Sequence, residues 1–185
     1  MTESPYKLFT VIIYSENSVG LLNQVSNIFT RRCLNIEDVT ASLSSAPGVH
    51  KLTITTESDR PTMEKVVGQL EKIVEVIKVG LYTDDDIIYQ EIALYKVPTM
   101  ELLQSHELET IIRSHGARIL EMTPEYTIIE KTGHRWEIEA LFDCLKRYDI
   151  RQFVRSGRVC VTNSPVEHID LFLEKQRQRQ KQSEQ

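Results

Sequence analysis

The 185-residue chain has no apolar run approaching the roughly 20 residues that a membrane-spanning helix needs. Met1 to Lys7 also lack the apolar core of a signal peptide, so a cytoplasmic protein without membrane attachment is expected. Cysteine is scarce. Cys33, Cys144 and Cys160 are odd in number, far apart and without CxxC spacing, which argues against zinc and redox motifs and leaves buried free thiols as the expected state. His50, His106, His115, His134 and His168 fall in different segments with no HExxH or His–Cys spacing, so no metal site is expected. Positive charge is in deficit too: 22 Lys plus Arg against 27 Asp plus Glu give a formal net charge of -5. Nucleic acid and anionic membranes are therefore unexpected partners, because phosphate neutralisation needs clustered Lys and Arg. The one basic run, Glu174 to Gln182, alternates charge with glutamine and has no apolar stripe, so a polar, disordered tail is expected over 167–185.

What is present is an ordinary globular composition, 41% hydrophobic and 26% charged, sufficient for a buried core. Leu8 to Tyr14 is short, β-branched and aromatic and ends at Ser15-Glu16-Asn17-Ser18, which reads as a strand. Leu21, Leu22, Val25, Ile28 and Phe29 then recur at helical spacing, predicting a helix from about Val19 to Arg32. Ile36 to Ser44 and Val49 to Thr56 form a hairpin around Ala46-Pro47-Gly48. Asp59-Arg60-Pro61 starts a second helix with Met63, Val66, Val67, Leu70 and Ile73 on one face, and Val74 to Tyr82 is a fourth strand. The order βαββαβ, with right-handed crossovers, is the ferredoxin-like arrangement.

Thr83-Asp84-Asp85-Asp86 breaks the apolar pattern and reads as a solvated linker, dividing residues 1–83 from 84–166. The second part repeats the order: Tyr89 to Val97, a helix from Met100 to Ser114, Ala117 to Thr123, Tyr126 to Lys131, a helix from Arg135 to Arg147, and a last strand from Ile150 to Val161. The expected fold class is α+β with two ferredoxin-like domains. Each is small and leaves sheet edges open, so a homodimer formed through those edges is expected.

Glu16-Asn17-Ser18-Val19-Gly20-Leu21-Leu22 is the segment that could hold a ligand. Free N–H groups at a helix start, beside a residue without Cβ, suit a carboxylate; Asn17 could serve an ammonium or a carboxylate, and Asn35, at the start of the second strand, is expected to reach the same region from a neighbouring element. Taken alone, the segment reads first as a plain strand-to-helix turn in which Asn17 or Ser18 caps the helix. Glu121, Glu125 and Glu130 lack any accompanying nucleophile or cofactor motif, so catalysis is not expected. Trp136, Phe142 and Leu145 read as core residues of a helix. Arg155-Ser156-Gly157-Arg158 offers two guanidinium groups around a turn, able to clamp partner carboxylates or to sit in solvent.

The combination of Glu16-Asn17, Gly20-Leu21-Leu22, Ile28-Phe29, Arg31-Arg32 and Asn35-Ile36-Glu37 resembles the ACT domain of acetolactate synthase (acetohydroxyacid synthase) small subunits. The resemblance continues through Gln90 to Val97 and Tyr126-Thr127-Ile128 to Arg155-Ser156-Gly157. It implies a first, ACT domain that binds a branched-chain amino acid, chiefly valine, at a dimer interface, and a second, ACT-like domain that activates a separate large catalytic subunit. Asn17, Gly20 and Asn35 match the family's ligand positions, with Val19, Leu21 and Leu22 as backbone contributors and Arg155, Ser156 and Gly157 as a partner contact. No cofactor is implied on this chain; thiamine diphosphate, magnesium and FAD belong to the catalytic partner. The chain departs from the family pattern at Val19, where proline or serine is common, at Cys33, where glycine is common, and at Ser42, where alanine is frequent. An amino-acid-responsive transcription regulator built on paired ACT domains is the alternative, but no helix-turn-helix is visible.

Overall fold

The computed structural model describes residues 6–104, 106–165 and 169. The chain divides into two compact units: one runs to Ile88 and resumes at Cys160, and the other is Tyr89–Val159.

The first unit contains β1 (Lys7–Glu16), α1 (Leu21–Thr30), β2 (Asp38–Leu43), β3 (Val49–Ser58), α2 (Arg60–Leu70) and β4 (Val76–Tyr82). The strands form an antiparallel sheet in the order β2-β3-β1-β4, the order that two crossovers of a βαββαβ chain produce. Phe9, Val11 and Ile13 of β1, with Leu52 and Ile54 of β3, pack against Leu21, Val25 and Phe29 of α1 and Met63, Val66 and Leu70 of α2. Each of these fully buried side chains contributes roughly 1.5–3 kcal/mol of transfer free energy. The opposite sheet face is buried as well, at Thr10, Ile12, Tyr14, Thr53 and Thr55. Cys160 supplies contacts there: Lys51 Nζ donates to the Cys160 carbonyl at 2.6 Å, and Thr53 Oγ1 lies 4.0 Å from Cys160 Sγ.

The expected solvated linker is solvated, and it is also an ordered turn. Asp84–Asp86 make one turn of 3-10 helix in which Thr83 N–H and Oγ1 both donate to Asp86 Oδ2, at 2.8 and 2.7 Å. Asn163 fastens it from outside, donating from its N–H to Asp86 O and from Nδ2 to Asp85 O. The like charges are solvated, but hydrogen bonds to the backbone between them hold the turn.

The second unit carries most of β5 (Ile87–Pro98), then α3 (Thr99–Gln104), α4 (His106–Ser114), β6 (Arg118–Met122), β7 (Tyr126–Gly133), α5 (Arg135–Leu145) and β8 (Gln152–Arg155), and β9 (Val159–Thr162) follows. The sheet order β6-β7-β5-β8, with β9 also pairing β5, repeats the first topology. Ala93, Tyr95, Val97 and Ile129 face Leu108, Ile111, Ile112, Ile138, Leu141 and Leu145 across the core. Tyr95 is fully buried, and its hydroxyl donates to Ile138 O at 2.8 Å.

The helix expected from Met100 to Ser114 is described as helix over Thr99–Gln104 and His106–Ser114. Three expectations need correction. The strand expected from Ile150 to Val161 breaks into β8 and β9, because the Ser156 hydroxyl accepts from Ile92 N–H at 3.0 Å where a ladder bond would run. Trp136 is 68% exposed rather than core, although Leu145 is buried and Phe142 packs against the core. Cys33 is exposed rather than buried. His168 and the tail run from Glu174 lie outside the described residues.

Cys33 carries a further consequence. It sits past the end of α1 at φ 54, where its N–H donates to Thr30 O and Leu34 N–H donates to Phe29 O, a Schellman closure with Cys33 in the left-handed position. The corresponding closure of α4 has Gly116 there, at φ 60, with Gly116 N–H to Arg113 O and Ala117 N–H to Ile112 O. A Cβ in that conformation costs about 1–2 kcal/mol, offset in part by the unfolded-state entropy of glycine. Cys33→Gly should therefore stabilise the protein by roughly 0.5–1 kcal/mol in a urea titration, and Gly116→Ala should destabilise it by a similar amount.

Acid sensitivity follows from the helix starts. Asp59 caps α2 by accepting from Thr62 N–H at 2.9 Å, which lowers its pKa below 3.8. The backbone N–H of His134, donating to Glu137 at 2.7 Å, lowers that residue's pKa below 4.5. Depressed folded-state values mean that this stabilisation is present above the ordinary carboxyl range and lost as pH falls through the lowered values. Thermal melting followed against pH should hold steady above about pH 5 and decline below it, less steeply in Glu137→Gln.

Candidate functional site

The turn from β1 into α1 is built around one conformation. Glu16 N–H donates to Glu75 O at 2.9 Å, Ser18 N–H donates to Glu16 O at 3.1 Å, and Gly20 then takes φ 87, outside the range comfortable for residues with a Cβ. No atom lies within 4 Å of where a Gly20 Cβ would stand, so backbone conformation and not crowding requires the glycine. The first helical bond runs from Gln24 N–H to Gly20 O. Gly20 has no side chain to cap the helix, so the first-turn N–H groups at Leu22 and Asn23 gain none from it, at the positive end of the α1 dipole. Neither Asn17 nor Ser18 is the cap residue.

Around that turn Asn17, Val19 and Gly20 are exposed, Leu22 is 50% exposed, and Leu21 is buried in the core. Sequence reading missed Ser15. It shares the helix-side phase of β1 with Ile13, is fully buried, and its hydroxyl has no hydrogen bond. A polar residue continuing the apolar phase Phe9, Val11, Ile13 was the available signal.

Asn35 lies elsewhere. It follows the far end of α1, where its carbonyl accepts from Thr56 Oγ1 at 2.6 Å and its Nδ2 donates to Glu37 Oε1 at 2.7 Å. Ten helical residues at about 1.5 Å rise put the two ends of α1 about 15 Å apart. One chain therefore does not bring Asn17 and Asn35 to the same region, contrary to the expectation that neighbouring elements would do so.

In the second unit the arginine element is turned inward. Glu91 and Arg158 are each 2% exposed. Arg155 Nε lies 3.3 Å from Glu91 Oε2, and Arg158 Nε lies 3.7 Å from Glu91 Oε1. The Arg158 guanidinium stands 3.8 Å from the centre of the Tyr89 ring, and Arg155 also reaches Glu139 at 3.5 Å. Ser156 N–H donates to Ile92 O. Both cations thus answer one buried carboxylate of the same unit, and Arg155 alone keeps a partly exposed side chain. Glu91 was legible: it occupies the buried phase of β5 with Ala93, Tyr95 and Val97, where a carboxylate needs charged partners.

Glu130 pairs with Arg118 at 2.6 Å, and that hydrogen bond lowers its pKa, so it is held as an ion-pair partner. Among the described residues no group of His, Cys, Asp or Glu is placed to hold a metal ion, and no helix is long and apolar enough to cross a membrane.

Two antiparallel βαββαβ sheets, the first with an uncapped glycine turn at its first helix, define an ACT-type fold. The family described as the AHAS small subunit-like ACT domain matches residues 11–78, and that described as the small subunit of acetolactate synthase matches residues 90–164. The chain belongs to the acetolactate synthase small-subunit family. It is 32% identical over 154 residues to a probable acetolactate synthase small subunit of Archaeoglobus fulgidus, covering 82% of this chain and 94% of that one. It is 31% identical over 142 residues to the acetolactate synthase small subunit of Bacillus subtilis, covering 76% and 82%. The crystal structure of the acetolactate synthase small subunit from Thermotoga maritima superposes with a TM-score of 0.77 at 30% identity, covering 86% of this chain and 99% of that one.

Removing the carboxylate while leaving the arginines tests the buried cluster. Glu91→Gln should destabilise the second unit by about 3–5 kcal/mol, because Arg158 would stay buried without its counter-charge. Equilibrium unfolding followed by the fluorescence of Trp136, the one tryptophan, reads that unit selectively.

Proposed function

We propose that this chain is the non-catalytic regulatory subunit of acetolactate synthase. Residues 1–83 bind a branched-chain amino acid, chiefly valine, and residues 84–166 activate a separate large subunit, which carries thiamine diphosphate, magnesium and FAD. Valine binding then feeds back on that activation. The observation that carries the reading is the Gly20 turn, an uncapped and accessible helix start on an ACT-type unit in a chain of this family.

The separation of Asn17 from Asn35 supports a site made by two copies. β2 is an edge strand with β3 on one side only, and its Val39 and Leu43 are exposed. Antiparallel pairing of two such edges sets the start of one α1 beside the end of the other, so Asn17, Val19, Gly20, Leu21 and Leu22 of one copy meet Asn35 of its partner. The ligand's carboxylate takes the helix start. Binding then favours the paired arrangement by its differential affinity, with a coupling of about 1–3 kcal/mol to the catalytic subunit. Arg155, with Ser156 and Gly157 behind it, is the contact offered to that subunit.

Acetolactate formation by the copurified catalytic subunit should rise on adding this chain and fall again as valine is titrated. Rates indifferent to the chain and to valine would defeat the reading. Calorimetry should show valine binding weakened about tenfold in Asn17→Ala and in Asn35→Ala, the loss of one charge-assisted hydrogen bond.

A further inference from the structure

In the second unit α4 and α5 pack against each other, and a nucleophile and a base meet at their seam. Cys144 Sγ, on α5, stands 3.9 Å from Nε2 of His115, the residue that follows α4. The other ring nitrogen is held. His115 Nδ1 lies 3.0 Å from Ile111 O and 3.3 Å from Ser114 Oγ. A carbonyl oxygen can only accept, so a hydrogen bond to Ile111 O puts the ring proton on Nδ1, and the neutral imidazole then presents its lone pair from Nε2, toward the sulfur. Thiol, imidazole and orienting carbonyl stand in the order by which a base activates a nucleophile. Both side chains are partly exposed, so a small molecule in solvent reaches them, although Cys144 also packs against the core of the unit. Cys160, by contrast, is 3% exposed, and Cys33 lies open at the end of α1. Cys144 combines access with a histidine.

We infer that Cys144 is a modification site for small disulfides, with His115 as its base. The thiol S–H bond breaks as its proton passes to His115 Nε2, and the sulfur attacks one sulfur of the disulfide. A bond from Cys144 Sγ to that sulfur forms while the disulfide's own S–S bond breaks, and the departing thiolate takes the proton back from the imidazolium. Cys144 is oxidised, the departing sulfur is reduced, and no oxidant besides the disulfide is consumed. Excess thiol reverses the step. The adduct stands on the seam that Glu107 of α4 also spans, holding Arg147 at 2.7 Å and the Tyr148 hydroxyl at 3.3 Å. Bulk added to a packed seam forces it apart, so thiolation of Cys144 loosens α4 from α5.

The test incubates the full chain, reduced and freed of reductant, with oxidised glutathione at neutral pH and follows the adduct at each cysteine by peptide mass spectrometry. Cys144 should be thiolated about tenfold faster than Cys33 although it is the less exposed, because a thiol without a base is only on the order of a few per cent thiolate at that pH. His115→Gln, which keeps a polar group near the sulfur but no base, should slow Cys144 about tenfold and leave Cys33 unchanged. A merely structural His115 predicts the opposite sign, since a loosened seam exposes the sulfur and speeds its reaction. The glutathione adduct of Cys144 should also melt below the reduced chain and recover on adding dithiothreitol. Reaction at Cys144 no faster than at Cys33 in the wild type overturns the proposal, and so does an unchanged or raised Cys144 rate in His115→Gln. If that variant fails to fold, the wild-type ratio of the two rates decides alone.

Discussion

β1 is buried on both faces, and the first unit depends on how each face is covered. A βαββαβ chain supplies helices to one side of its sheet only, so Phe9, Val11 and Ile13 are answered by α1 and α2 while Ile12 and Tyr14 are not. Cys160, Val161, Thr162 and Ser164 contribute to the second cover, after the chain has made its second unit. Lys51 and Thr53 meet Cys160 on that side, and Asn163 ties down the Asp84–Asp86 turn. The first unit is thus completed by chain that is remote in sequence.

The second unit answers the same constraint differently. Its helix-side core is closed by α4 and α5, but on the other face Ile92, Leu94 and Val154 remain exposed. Its internal specificity comes instead from Glu91, which fixes the end of β8 and the turn after it by holding Arg155 and Arg158. A contiguous apolar face of this kind is the sort of surface that association covers.

The regulatory reading turns on α1. Its start lacks a side-chain cap and its end carries Cys33 in a left-handed conformation, so both termini hold local cost while the middle is locked into the core by Leu21, Val25 and Phe29. A ligand that satisfies groups at such ends changes the balance between conformations most where the scaffold itself is least satisfied.

Short-range physics was legible in the sequence: the apolar run of β1, the faces of α1 and α2, the Ala46-Pro47-Gly48 turn, the Asp59 cap before Pro61, and from their order the sheet topology. The Gly20 turn was legible as a conformation, because only glycine is at ease there. Tertiary structure decided the rest. Periodicity says that a residue faces a core but not which element supplies the other side, so it could not tell that Tyr14 lies beneath returning chain, that Trp136 stays in solvent, or that Glu91 recruits both arginines. Nor could spacing along the chain reveal that Asn17 and Asn35 stand beyond opposite ends of one helix, since sequence distance does not say which end of a rod a residue occupies until the rod is formed and packed.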